Sequence, residues 1–274
     1  MAQPSLFERP MPSVPEFGRA GVRFLERSQV LTRPTGRLAA FDYSLNPYVG
    51  CGFGCSYCYA SFFQPDPERF ETWGKWVDVK RNAAEAVRSA RNLKGKRVMM
   101  SSATDPYQPI ESVIELTREI LEALSEPDRQ PRLYVQTRSP LVTRDLDILR
   151  RFEDVRVNMS VTTDSERVRK AFEPACASIE RRLQAVAEVR RAGIPANVWV
   201  SPMLPIENPA RFARRILETG ASGVSTSWFH FSDRPFASST RPEAVRLLEE
   251  WKWNEAEHRK AAAELRRHLG GLLR

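Results

Sequence analysis

The amino-acid sequence predicts an α/β fold, an incomplete (β/α)6 barrel with an N-terminal extension and C-terminal helices. Apolar and β-branched stretches at 97–102, 132–137, 155–163, 196–203 and 223–231 read as buried strands, and 43–49 supplies a sixth. Between them, 80–92, 112–124, 144–152, 179–192 and 209–219 carry apolar residues at three- and four-residue spacing, the period of a helix. Strands alternating with helices predict a parallel sheet, because parallel neighbours need a long crossover.

Residues 1–40 form the extension, proline-rich and without period over 1–18, and the mixed segment after it carries a turn at 32–36. The barrel core is assigned to 41–235 and a C-terminal helical segment to 236–274, which packs outside the barrel or closes it. In the helix at 179–192, Ile179, Leu183, Val186 and Val189 make the apolar face, and Arg181, Arg182, Arg190 and Arg191 are assigned to the solvated remainder. Gly193 and Pro195 end that helix. No internal repeat and no second domain stand out.

Apolar residues make up 42% and charged residues 28% of the 274, a composition of soluble globular proteins that excludes extended disorder. No apolar run approaches the roughly 18 to 20 residues that span a bilayer. The first residues carry prolines and charges where a signal peptide needs an apolar segment, so a cytoplasmic location without a membrane partner is expected. The formal charge of +8 favours acidic partners, with nucleic acid the obvious candidate. The basic residues are spread along the predicted helices, and solvated helix faces account for them equally well.

Three of the four cysteines fall within eight residues. In NPYVGCGFGCSYCYA, Cys51, Cys55 and Cys58 stand in a C-x3-C-x2-C arrangement just after the first predicted strand. Clustered cysteines without an export signal point to metal binding. A complete four-iron cluster normally takes four thiolates. Only three are supplied, so one iron is left open to an exogenous ligand. Gly50, Gly52 and Gly54 are expected to give the loop positive φ angles. The alternative is a zinc site with a fourth ligand from His230, His258 or His268, none at a short zinc-finger spacing.

This motif resembles that of the radical SAM superfamily, where three cysteines hold a 4Fe-4S cluster and S-adenosylmethionine chelates the fourth iron through its amino and carboxylate groups. FDYSLNPYVGCGFGCSYCYA, WVDVKRNAAE, SSATDPYQPIE, TRSPLVTRDLDIL and the run from SVTTD to SPMLPIEN extend the likeness to the group related to spore photoproduct lyase, often labelled DNA repair photolyase, over roughly 41–208. The resemblance implies a radical SAM-type barrel with Cys51, Cys55 and Cys58 as cluster ligands. It places Tyr57 by the adenine, with loop packing as the alternative, and lets Tyr59 shield the cluster.

Ser101, Ser102, Thr104 and Asp105 lie where the superfamily recognises the amino group of S-adenosylmethionine; hydroxyls and a carboxylate accept from an ammonium, and the same residues also initiate turns. Arg138, where relatives often have Lys, is assigned to the methionyl carboxylate, against ordinary surface charge. Ser160 and Thr162 are assigned to ribose hydroxyls or the carboxylate, against capping the next turn. Cys176 is expected to be a small buried residue near a helix start. Trp73, Trp76, Trp228 and Phe229 read as core in preference to a base-stacking surface, and His230 as a packed histidine in preference to a substrate contact. Spore photoproduct lyase is known for a cysteine hydrogen donor where this chain has Ser102, which argues against the same repair reaction.

The function implied is reductive cleavage of S-adenosylmethionine by an electron from an external reductant such as flavodoxin or ferredoxin. The resulting 5'-deoxyadenosyl radical abstracts hydrogen from a substrate, with nucleic acid one candidate. The rival is a non-catalytic iron-sulfur or zinc protein that binds nucleic acid or a protein partner.

Overall fold

A computed structural model describes residues 12, 14–26, 28–233 and 239–273 of the chain. Eleven strands occur among them: β1 (Glu16–Phe17), β2 (Ala20–Leu25), β3 (Leu31–Thr32), β4 (Tyr43–Leu45), β5 (Tyr48–Gly50), β6 (Trp76–Lys80), β7 (Arg97–Met100), β8 (Arg132–Thr137), β9 (Val155–Ser160), β10 (Ala196–Val200) and β11 (Gly223–Thr226). The larger sheet has the order β11-β10-β9-β8-β7-β4-β3, parallel throughout except for the edge strand β3. Each strand of the parallel set joins on the same side of the one before. Right-handed crossovers then put every connecting helix on one face, which yields the expected incomplete (β/α)6 barrel.

Strand alternation divides the two faces. Val98, Leu133, Val135, Val157, Val198 and Val200 turn outward into the main core beneath the helices. The opposite, inner face carries Tyr134, Gln136, Asn158, Asn197 and Trp199, where Asn197 donates to Asn158 at 3.0 Å and Gln136 to Ser160 at 2.9 Å. With an apolar outer face and a hydrogen-bonding inner face, the sheet lines the inside of the barrel with polar groups.

The helix at Ile179–Arg191 begins at Ser178, whose Oγ accepts from the Arg181 N–H, and it ends before Gly193 as expected. Ile179, Leu183, Val186 and Val189 are buried, each contributing about 1.5–3 kcal/mol. Arg182 departs from expectation: it is fully buried. It stands three residues after Ile179, on the apolar stripe itself.

Other boundaries also differ. The stretch 43–49 is two strands, because Pro47 has no N–H for a ladder and the Asn46 side chain turns to accept from the N–H groups of Ser102 and Ala103. The segment 112–124 breaks at Glu115 (φ 56°) into helices Glu111–Ile114 and Leu116–Leu124. Only Leu146–Leu149 of 144–152 is α-helical, after a 3-10 turn over Pro140–Asp145. The strands expected to reach 102, 163, 203 and 231 stop at 100, 160, 200 and 226, and the residues beyond form the loops of the barrel mouth.

A second sheet, unforeseen in the sequence, has the order β1-β2-β6-β5. Its β6 lies in WVDVK, where Val77 and Val79 alternate with Asp78. That aspartate is buried yet takes ion pairs from Arg23 (2.9 Å) and Arg69 (2.8 Å), tying the β1–β2 hairpin and the helix Pro67–Glu71 to the strand. β5 pairs with β6 up to Gly50, so this sheet aims the chain into the cysteine loop.

The helices Pro242–Glu250 and Glu255–Leu269 complete the chain; the second packs on Pro209–Glu218, and Leu273 bridges alongside Val224 at the β11 edge. The expectations for residues 1–11 and 13, and the boundary at 235–236, fall outside the described residues. Among the described residues no helix is long and apolar enough to cross a membrane.

Candidate metal centre and its surroundings

The cysteine loop starts from a backbone that only glycine permits. Gly50 has φ +78°, and a Cβ there would lie 2.4 Å from the Trp76 ring. Four residues on, Gly54 (φ +56°) packs against Gly74 (φ +95°) so closely that a Cβ on Gly74 would stand 2.6 Å from the Gly54 Cα. Gly52 does not share this conformation, contrary to expectation; a Cβ there would meet Pro109 at an ordinary 3.7 Å.

Neighbouring loops fix the turn. Gly52 N–H donates to Gln108 Oε1 at 2.8 Å, Thr104 Oγ1 donates to the Gly50 carbonyl at 2.6 Å, and Ser56 N–H donates to the Phe172 carbonyl at 2.9 Å. Cys51 and Cys55 are buried and Cys58 is partly open. Phe53, Tyr57, Trp73, Leu204, Phe229 and the fourth cysteine, Cys176, close an apolar shell around them, separate from the main core.

In that shell burial pushes the Cys51 thiol well above its ordinary value and Cys58 up to about 11. Cys55 goes the other way, lowered chiefly by its contact with Cys176, whose Sγ is 3.8 Å away. The donor set fits an iron-sulfur cluster: three thiols on one rigid loop, in an apolar shell, with Arg138 and Arg182 supplying positive charge toward the Cys55 thiolate. Among the described residues no three or more His, Cys, Asp or Glu side chains, the three cysteines included, are gathered around a single-ion site.

Three of the remaining expected site residues meet at a carboxylate that sequence reasoning passed over. Tyr57 donates its hydroxyl proton to Glu173 Oε1, Arg138 Nη1 donates to the same oxygen at 3.0 Å and to the Tyr57 oxygen at 2.6 Å, and Thr162 Oγ1 donates to it at 2.8 Å. Arg182 Nη2 lies 2.7 Å from the other oxygen, Oε2. Burial drives the Glu173 carboxyl upward, but Arg182 and Arg138 outweigh it and hold the group at about 2.

The other candidates are placed differently. Asp105 accepts from Tyr107 N–H (2.9 Å), Thr137 Oγ1 (2.7 Å) and Arg138 N–H (2.8 Å), so its carboxylate laces the loop after β7 to the end of β8. Ser102 Oγ lies 2.5 Å from Ser44 Oγ, and its carbonyl accepts from Tyr59, which is more exposed than a shield for the loop would be. Ser160 Oγ accepts from Gln136 and its carbonyl from Arg182. Trp73 and Phe229 are buried, and Trp76 and Trp228 stack edge-on against them. An arginine at a core position of a helical stripe was the one available signal for the buried network, since such a charge demands a buried counter-ion. Glu173, Gln108 and Gly74 gave none.

The model of the radical SAM superfamily matches residues 45–218, more than half of the chain. The chain belongs to this superfamily. An uncharacterised protein of Methanocaldococcus jannaschii is 35% identical over 169 residues, covering 62% of this chain and 63% of that one; a protein of Acidianus two-tailed virus is 31% identical over 180 residues, covering 62% and 58%. The chain thus spans about three fifths of the length of these curated relatives. A radical SAM Nalpha-GlyT isomerase of Pseudomonas phage M6 is 28% identical over 162 residues, 58% of this chain and 32% of that one. Among solved structures, spore photoproduct lyase complexed with dinucleoside spore photoproduct superposes with a TM-score of 0.62 at 17% identity, over 92% of this chain and 79% of that one, a likeness of fold. Membership in the superfamily implies a 4Fe-4S cluster and S-adenosylmethionine as cofactors.

Proposed function

We propose that the protein is a radical SAM enzyme in which Cys51, Cys55 and Cys58 hold the 4Fe-4S cluster, and the open iron takes the amino and carboxylate groups of S-adenosylmethionine. The observation that carries this reading is the pairing of three thiols in one apolar shell with Arg138 and Tyr57 beside them. When bound, the cluster and S-adenosylmethionine supply reductive cleavage and the hydrogen-abstracting 5'-deoxyadenosyl radical, given one electron from an external reductant such as flavodoxin or ferredoxin.

The chain's own residues bind and orient. Arg138 has Nη1 committed to Tyr57 and Glu173, which leaves Nε and Nη2 as the edge that would take the methionyl carboxylate. Tyr57 lines the adenine, held edge-on against Phe229 with ring centroids 6.2 Å apart. The carbonyl and hydroxyl of Ser102 receive the ammonium, while Thr104 and Asp105 serve by bracing the loops on either side. Ser160 and Thr162 back this arrangement at the end of β9, Thr162 through its bond to Glu173 and Ser160 through Gln136 and Arg182. Phe53, Trp73 and Leu204 exclude water from the thiols.

Nucleic acid is the substrate class we favour, supported by the charge of +8 and by the dinucleoside lesion named for the structural neighbour. Ser102 in place of a donor cysteine sets the reaction apart from lesion repair by that route. The test is anaerobic reconstitution followed by dithionite and S-adenosylmethionine. Equimolar methionine and 5'-deoxyadenosine, lost in Cys58→Ala, support the reading. A four-iron protein yielding no more than the Cys58→Ala control, or one that retains zinc in place of iron, sinks it in favour of the non-catalytic alternative. Comparison of binding to single-stranded, duplex and damaged DNA then tests the substrate class.

A further inference from the structure

The buried carboxylate of Glu173 lies between the two groups assigned to opposite ends of S-adenosylmethionine, and it is fully buried itself. It cannot reach a ligand in the barrel mouth. Its Oε1 is taken by Tyr57, Arg138 and Thr162, and its Oε2 faces Arg182, a cation that is equally buried and that also donates to the Ser160 carbonyl at 3.1 Å. We propose that Glu173 is the positioning residue of this site: it locks Arg138 and Tyr57 in the one arrangement that receives the carboxylate and adenine ends of S-adenosylmethionine together. This rests on the enzyme reading above.

The geometry explains why a carboxylate is required. An arginine side chain has many rotamers, and fixing one before the ligand arrives removes that ordering cost from binding. Glu173 fixes Arg138 through Nη1 alone, while Nε and Nη2 make no hydrogen bond to any described residue; Nε lies 4.0 Å from Asp105. A planar guanidinium held at one corner presents its other edge in a set direction. Tyr57 donates to the same oxygen and accepts from Arg138 Nη1, so the ring cannot swing without breaking a bond to the arginine. Arg182 holds the carboxylate from behind and carries the link to Ser160 at the end of β9. A glutamine at 173 would keep the size but point an amide N–H at one of the two guanidinium groups.

The test uses the full chain, reconstituted anaerobically as wild type, Glu173→Gln and the double variant Glu173→Met with Arg182→Met. The double variant removes both charges of the buried pair, a replacement that folds tolerate well, while leaving Arg138 without its anchor. Iron content, the affinity for S-adenosylmethionine by equilibrium dialysis, and the electron paramagnetic resonance spectrum of the reduced cluster with and without S-adenosylmethionine are measured on each. Wild-type iron content with at least a tenfold weaker affinity, and a spectral change that needs correspondingly more S-adenosylmethionine, is the expected result in every variant that melts cooperatively. An affinity within threefold of wild type in either folded variant overturns the proposal. So does loss of iron in both, which would place Glu173 in service of the cysteine loop. A wild-type protein that holds four irons and binds no S-adenosylmethionine refutes the enzyme reading itself, an outcome separate from these.

Discussion

The Sγ atoms of Cys55 and Cys176 lie 3.8 Å apart, although 121 residues separate them in the chain. Cys176 also borders a cleft of about 710 Å³ with Phe53, Tyr107, Ser139 and Arg181. In iron-free protein exposed to air, the two thiols are expected to form a disulfide. Each sulfur gives up one proton and one electron, and dioxygen is reduced to hydrogen peroxide. Peptide mapping without reductant should find Cys55 linked to Cys176, and Cys176→Ala should load iron like wild type under anaerobic conditions. A Cys176→Ala protein that loses its iron would make Cys176 a ligand and contradict the three-thiol account.

Backbone contact at Gly54 and Gly74 predicts a ranking of glycine variants. Gly74→Ala forces a Cβ to 2.6 Å from the Gly54 Cα at a positive φ and should abolish iron binding or lower stability by about 2 kcal/mol or more. Gly52→Ala, with its nearest neighbour at 3.7 Å, should load iron normally. Iron content and thermal melts of the two check this, and equal behaviour would show that the close approach does not shape the loop.

Two buried glutamates respond to pH with opposite signs. Burial raises Glu111 to about 7, against the donors Arg144, Tyr48 and Thr117 N–H. Its folded pKa thus lies above the unfolded value, so its contribution is full below about pH 4.5 and is lost as pH rises through about 7. Glu173, held at about 2, contributes above about pH 4.5 and loses that only as pH falls toward 2. From pH 5 to 8 wild type should therefore lose roughly 3 kcal/mol at most relative to Glu111→Gln. Parallel stability curves for the two proteins would contradict the assignment.

The barrel was legible because its strands and helices have clean periods, and the cysteine motif because short spacing confines it to one loop. Features that depend on distant partners were not. β6 escaped notice because Asp78 breaks its apolar run, and only Arg23 and Arg69, brought from elsewhere, make that aspartate a buried residue. Arg182 was read as surface because charge outweighs position in a helical pattern, although its place on the stripe of Ile179 and Val186 foretold burial. Glu173 lies just past a short helix and ahead of Pro174, with nothing local to mark it. Its role exists only once Tyr57, Arg138, Thr162 and Arg182 have been gathered from four parts of the chain. Asp105 shows the reverse: its motif drew notice for ligand binding, whereas its carboxylate is engaged by three protein donors.

The central claim is that three cysteines leave one iron open for S-adenosylmethionine. Electron paramagnetic resonance of the dithionite-reduced, anaerobically reconstituted protein tests it most directly. The account predicts a four-iron cluster whose signal shifts when S-adenosylmethionine is added, and no such cluster in Cys51→Ala, Cys55→Ala or Cys58→Ala. A cluster signal that S-adenosylmethionine leaves unchanged would contradict it.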